Sequence, residues 1–130
     1  MARLLAILAA GVAGVLGDVG AFTGSATAAD AARGQAVFGS QCSICHSNTR
    51  NGGVVVGPPL YGVVGRKAGS IPDFSYSSTM KAAGFVWTAD QLRAYLPAPR
   101  RYLPNVKMTY PGLKNPTQLN DLIAYLETLK

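Results

Sequence analysis

One hundred and thirty residues suffice for a single domain with a modest core, and 12 Lys and Arg against 6 Asp and Glu leave a net charge of +6. Such basicity points to an acidic protein partner, nucleic acid or an anionic membrane. The chain has no Lys/Arg run and no interleaving of aromatic with basic residues, so nucleic acid is the weakest of the three and a basic docking face the strongest.

Residues 1–28 read as an export leader. Arg3 precedes the apolar stretch Leu4–Leu16, and Ala26-Thr27-Ala28 has the small-x-small form of a cleavage site, placing the mature start at Ala29 or Asp30. The stretch is short, broken by glycine and ended by Asp18, which favours cleavage over retention as a membrane tether. The expected localisation is the periplasm. Removing Arg3 and Asp18 with the leader leaves 11 basic and 5 acidic residues, so the domain over 29–130 keeps its +6. Many of the chain's apolar residues leave with the leader. A domain of roughly a hundred residues would therefore gain from a large apolar ligand at its centre.

Within 29–130, Asp30 can cap a helix over Ala31–Phe38 that delivers the chain to Cys42. Asn51 to Gly65 is rich in Gly, Val and Pro and reads as an irregular loop wrapped around something. Ser77 to Ala83 can form a short helix ended by Gly84. Thr88-Ala89-Asp90-Gln91 is a capping box that starts another, which Pro97 stops. Trp87, the only tryptophan, lies between them. Five prolines between 97 and 116 predict a structured loop with few helical turns, and Met108 sits inside it. Asn115-Pro116 then opens a helix on which Leu119, Leu122, Ile123 and Leu126 repeat at helical spacing. There is no internal repeat and no strand alternation, so the expected fold is all-α with long loops.

The chemistry centres on Cys42-Ser43-Ile44-Cys45-His46, the C-x-x-C-H pattern of covalent haem attachment. Two thiols one short turn apart can each add to a haem vinyl group while the adjacent imidazole reaches the iron. A disulfide or half of a zinc site explains less: structural zinc takes four protein ligands, and the soft or imidazole donors here are Cys42, Cys45 and His46. A thioredoxin-like pair would accompany a βαβ pattern, which is absent. Export agrees with haem, since thioether links keep both thiols out of disulfides.

His46 is the only histidine, so a second axial ligand must come from elsewhere, and a thioether from Met80 or Met108 is the obvious candidate. Met80 falls in a predicted helix and can be ordinary core, whereas Met108 lies in a loop pinned between Pro104 and Pro111 and is the stronger candidate. Four ring nitrogens, His46 and Met108 would fill all six iron positions, leaving electron exchange and not substrate chemistry. The soft thioether and an apolar surround would both raise the reduction potential. Arg66, Tyr76, Trp87 and Tyr95 could serve the haem carboxylates or be ordinary packing and surface.

These residues, with Gly34 and Phe38, Gly57-Pro58-Pro59-Leu60-Tyr61-Gly62, Gly65-Arg66-Lys67, Phe74-Ser75-Tyr76, Tyr95-Leu96, Pro104 to Met108 and Leu122 to Leu126, resemble the mitochondrial cytochrome c family and its bacterial relatives, the soluble class I cytochromes of the c-two type. The resemblance covers nearly all of residues 30–130. It implies the class I cytochrome c fold, with the first and last helices crossing where Gly34 and Phe38 meet Tyr125, around one covalent haem c and its iron. It implies that the Pro58 carbonyl accepts a hydrogen bond from His46, that Tyr95 lies near the Met108 sulfur, and that Arg66, Tyr76 and Trp87 lie near a propionate. Arg100, Arg101, Lys107 and Lys114 match the family's basic ring around the haem edge. Three positions depart from it: Tyr110 where many relatives have Phe, Val106 in place of a hydroxyl residue, and Met80 where relatives commonly carry Asn.

The expected role is a monomeric, non-enzymatic one-electron shuttle between membrane redox complexes, from a bc-type complex to a terminal oxidase or photosynthetic reaction centre, docking transiently on acidic faces. The alternatives are a haem subunit dedicated to one periplasmic dehydrogenase, and an open-site haem protein with peroxidase or ligand-sensing activity.

Overall fold

Local capping decides where the helices start. Asp30, Ser77, Thr88 and Asn115 each accept a hydrogen bond from the backbone N–H three residues on, at 3.0 to 3.1 Å, and each such cap is worth about 1 kcal/mol. In the computed structural model, which describes residues 28–130, these caps open α1 (Ala31–Gln41), α2 (Ser78–Ala82), α3 (Ala89–Tyr95) and, after the one-turn helix α4 (Pro99–Tyr102), α5 (Pro116–Thr128). The leader, apart from Ala28, lies outside the described residues.

Two boundaries differ from expectation. α1 runs past Phe38 to Gln41 and so reaches Cys42 directly. The proline-rich segment holds α4, because Pro99 at the first helical position loses only an N–H that has no intrahelical acceptor there. Extended pairing among the described residues is confined to the isolated bridges His46 with Val54 and Lys67 with Val86.

α1 and α5 cross at Gly34. A Cβ at this position would overlap the Asp121 backbone carbonyl and lie 2.8 Å from the Tyr125 Cβ, so hydrogen alone allows the helices this close. One turn on, the Phe38 and Tyr125 rings pack with centroids 5.7 Å apart. Val37, Phe38, Leu119, Leu122, Ile123 and Leu126 are buried around them. The loop after Pro58 is tied to the end of α5 by the Gly62 N–H donating to the Leu129 carbonyl at 2.7 Å and the Tyr61 hydroxyl donating to the carbonyl of Lys130.

A polar lock closes the same crossing. The Asp121 carboxylate is 3% exposed and accepts from the Asp30 backbone N–H at 2.7 Å and from Arg33 Nε at 2.9 Å. The Arg33 hydrogen bond first, then the Asp30 N–H, hold its carboxyl below its usual 3.8. Because the folded pKa is depressed, this lock stabilises fully above the unfolded value and is lost as pH falls through the folded one. Asp121→Asn should therefore be clearly less stable than the parent in urea at about pH 7, with the difference shrinking below about pH 4. A difference that persisted unchanged to about pH 2 would show that charge plays no part.

Candidate haem site

The pentapeptide Cys42–His46 follows α1 as a tight turn. The Cys42 and Ser43 N–H groups donate to the Phe38 carbonyl at 2.9 and 3.0 Å, and those of Cys45 and His46 both donate to the Cys42 carbonyl at 3.0 Å. Cys42 and Cys45 are not joined in a disulfide. Before haem is attached, burial pushes the Cys42 thiol up to about 11, with Cys45 adding to the rise. The loop that follows folds back on this turn: the Val56 and Gly57 N–H groups reach the Cys45 carbonyl, and the Leu60 N–H the Ser47 carbonyl.

That fold-back sets the chemistry of His46. Its Nδ1 is 2.7 Å from the Pro58 carbonyl, which can only accept, so Nδ1 carries the proton and Nε2 is left with a free lone pair. Burial lowers the His46 pKa, Arg66 lowers it further, and the Pro58 bond opposes them, so the imidazole is neutral at pH 7. Gly57 makes room for the ring, since a Cβ there would sit 2.5 Å from His46 Cε1. Gly57 belongs to the Gly-Pro-Pro pattern, but its contact with His46 was not foreseen in the sequence.

Met108 approaches on a loop held at several points. Asn105 takes the left-handed conformation at φ 62°, and the Val106 N–H returns to the Leu103 carbonyl at 3.3 Å. Lys107 Nζ donates to the Ser75 carbonyl at 2.6 Å and its hydroxyl at 3.1 Å, while Lys114 Nζ binds the Pro97 carbonyl. The Tyr95 hydroxyl donates to Met108 Sδ at 3.5 Å. Burial raises the Tyr95 pKa to about 12, so that hydroxyl keeps its proton.

These groups face one cavity of about 450 Å³, within the range of small-molecule and cofactor sites. Cys42, Cys45, His46 and Pro58 line one part, and Arg66, Tyr76, Trp87, Tyr95 and Met108 line the rest. Leu60, Leu92, Leu96, Leu122 and Leu126 add apolar wall. Met80, expected as core, is 7% exposed and also part of the lining, and Val106, 6% exposed, lines the cavity too. Tyr110 lines the mouth and donates to Gln41 Oε1 at 3.0 Å.

The donor chemistry of this cavity matches a haem. An apolar void of this size is foreign to a close-packed core and calls for a large apolar occupant. A neutral imidazole with its outer nitrogen already engaged is a prepared iron ligand. Half-buried Arg66 donates to the carbonyls of Pro59 at 2.7 Å and Tyr61 at 3.3 Å, and no ion pair of it occurs among the described residues. It leaves a cation on the cavity wall that suits an anionic group such as a haem carboxylate.

The cytochrome c family model matches residues 31–130. The chain belongs to the cytochrome c family. It is similar to cytochrome c2 of Rhodopila globiformis, with 45% identity over 107 residues, covering 82% of this chain and 100% of the relative. Cytochrome c2 of Agrobacterium tumefaciens is 45% identical over 100 residues, 75% of this chain and 89% of the relative. Cytochrome c of Arabidopsis thaliana is 42% identical over 98 residues, 75% and 88% of the two chains. The fold is that of a class I cytochrome c, the cofactor is covalent haem c with its iron, and the chain is an electron-carrying haem protein.

The basic residues divide in two within this cytochrome c fold. Lys107 and Lys114 are exposed, but their ammonium groups hold loop carbonyls in place. Arg100 and Arg101 are exposed, their guanidinium groups have no hydrogen-bond partner among the described residues, and they border a second hollow with Thr109, Tyr110 and Pro111.

Proposed function

We propose that the chain is a periplasmic shuttle carrying one electron at a time between membrane redox complexes, taking it from a bc-type complex and passing it to a terminal oxidase or photosynthetic reaction centre. The observation that carries this reading is the pairing of prepared donors in one cavity: His46 with Nδ1 committed to Pro58, and Met108 with its sulfur held by Tyr95. In this reading Cys42 and Cys45 would form the thioether links, His46 Nε2 and Met108 Sδ would hold the iron, and Arg66, Tyr76 and Trp87 would serve the propionates.

When bound, the haem supplies a one-electron iron couple whose potential its axial ligands set. The chain's part is to keep that couple fast and closed. With His46 and Met108 both holding the iron, no position would remain for a substrate, so the reading is a carrier and not an enzyme. The supports of these two side chains, Gly57 and Pro58 for His46 and Tyr95 with the anchored Lys107 for Met108, would hold both donors in place as an electron enters and leaves. Thioether ligation and apolar leucine walls favour the less charged ferrous form.

The leader-like residues 1–28 support export. Among the described residues no helix is long and apolar enough to cross a membrane. Docking uses the exposed guanidinium groups of Arg100 and Arg101, with Lys107 and Lys114 adding charge while anchoring loops. Such a face steers encounter with an acidic partner and is screened by salt. The rate of reduction by a purified bc-type complex should fall as ionic strength rises, and Arg100→Gln with Arg101→Gln should flatten that dependence. A rate indifferent to salt in the parent protein would refute the basic docking face.

A further inference from the structure

The mouth of the cavity is lopsided in charge. From Gly34 to Gly65 the chain carries a single charged residue, Arg50, and its guanidinium lies 5.4 Å over the Tyr61 ring, bonded to the Tyr61 hydroxyl. In place of cations this stretch exposes large aliphatic side chains: Ile44 is 81% exposed, Val54 38%, Val55 58% and Val56 68%.

These four form one patch. His46 pairs with Val54 in an isolated bridge and the Val56 N–H donates to the Cys45 carbonyl, so residues 54–56 lie alongside the turn that carries Ile44. Ile44 and Val56 are largely exposed and yet line the cavity, which places them at its rim. Tyr110 and Pro111 line both this cavity and the hollow bordered by Arg100 and Arg101, so the cavity lining links the patch to the arginines.

Val54 and Val55 do not line the cavity. The segment is held through backbone groups, the N–H groups of Val55 and Val56 included, and the side chains of Val55 and Val56 are largely in solvent. Contiguous exposed aliphatic groups beside a functional opening mark a contact surface. Four side chains offer on the order of a few hundred Å², far short of the roughly 2,000 Å² of a permanent dimer. Two copies would also each bring a charge of +6.

We propose that Ile44, Val54, Val55 and Val56 are the apolar half of the docking face, and that the partner is a redox protein whose own surface is apolar on one side of the contact and acidic only on the side facing Arg100 and Arg101. The proposal rests on the electron-carrier reading and adds a division of labour. The arginines speed encounter and set its salt dependence, while the aliphatic patch supplies affinity that salt does not screen and fixes the rotation of the partner about the cavity mouth.

The test is the second-order rate of reduction of the haem-loaded protein by a purified bc-type complex, at low and at high salt, for three variants. Val55→Gln, whose side chain does not line the cavity, should slow the reaction about threefold by the same factor at both salts. Ile44→Gln with Val55→Gln and Val56→Gln should slow it on the order of tenfold, again without changing the salt slope. Arg100→Gln with Arg101→Gln should change the slope. The absorption spectrum of each variant reports directly whether the haem surroundings are intact. Slowing by the arginine pair alone would overturn the apolar half and leave the carrier reading standing. Parent-like rates in all three variants at every salt would overturn the docking face as a whole. Loss of a concentration-dependent dimer, or of binding to anionic lipid vesicles, in the triple variant with an unchanged reaction rate would assign the patch to self-association or to a membrane and overturn the proposal.

Discussion

Met108→Leu is expected to give a folded, haem-loaded protein whose reduction potential falls by a few tenths of a volt, on the order of the range over which axial ligands tune haem. Leucine nearly matches methionine in volume, so packing costs less than about 1.5 kcal/mol. The surrounding loop is held by contacts that do not involve the sulfur: the Lys107 bonds to Ser75, the Lys114 bond to Pro97, and the Leu113 N–H donating to the Leu96 carbonyl at 2.9 Å. What is lost is a soft donor that favours ferrous iron, together with the Tyr95 hydrogen bond that orients it. A sulfur-to-iron charge-transfer band in the parent's far-red or near-infrared spectrum should vanish with it. Met80 is the control. It lines the same cavity and is equally thioether, but it lies on α2 behind the Ser77 cap. Met80→Leu should retain both band and potential. Loss of the band in Met80→Leu, with its retention in Met108→Leu, would transfer the ligand role to Met80.

Two glycines five residues apart on α1 should respond to alanine with opposite sign. Gly34→Ala places a methyl group into the Asp121 carbonyl and against Tyr125, and backbone in a facing helix cannot step aside. The helices must separate, weakening the Phe38–Tyr125 contact and the Asp121 lock, at a cost on the order of 2–4 kcal/mol. At Gly39 an added Cβ meets nothing within 4 Å. Alanine there gains about 0.5–1 kcal/mol from the restricted unfolded chain and better helix propensity. Guanidinium unfolding of the oxidised haem-loaded protein compares the two directly. A Gly34→Ala midpoint equal to the parent's would mean that the helices cross elsewhere.

The parts of this structure that short spacing determines are legible in the sequence alone. The four capped helix starts are side-chain-to-backbone contacts three residues long, and Cys42, Cys45 and His46 sit within one turn. The sequence left open the features that depend on distant segments meeting. Asp121 and Arg33 are 88 positions apart, and neither shows from its neighbours that it will be locked at a helix crossing. The Gly57 contact with His46 appears only once the loop folds back. Lys107 and Lys114 count equally in any tally of surface charge with Arg100 and Arg101, yet their nitrogens are anchored to carbonyls from other segments. Met80 belongs to both core and cavity, a distinction that helical periodicity does not make. Charge marks only the cations of a docking face, so exposed Ile44 and Val54 to Val56 do not show in it.

Carbon monoxide added to the reduced, untreated protein, side by side with Met108→Leu, asks most directly whether both axial positions are held by the chain. The parent's spectrum should stay unchanged while that of Met108→Leu shifts to a carbon monoxide adduct. Ready formation of the adduct by the parent would mean an open iron face, and would contradict the closed electron carrier described here.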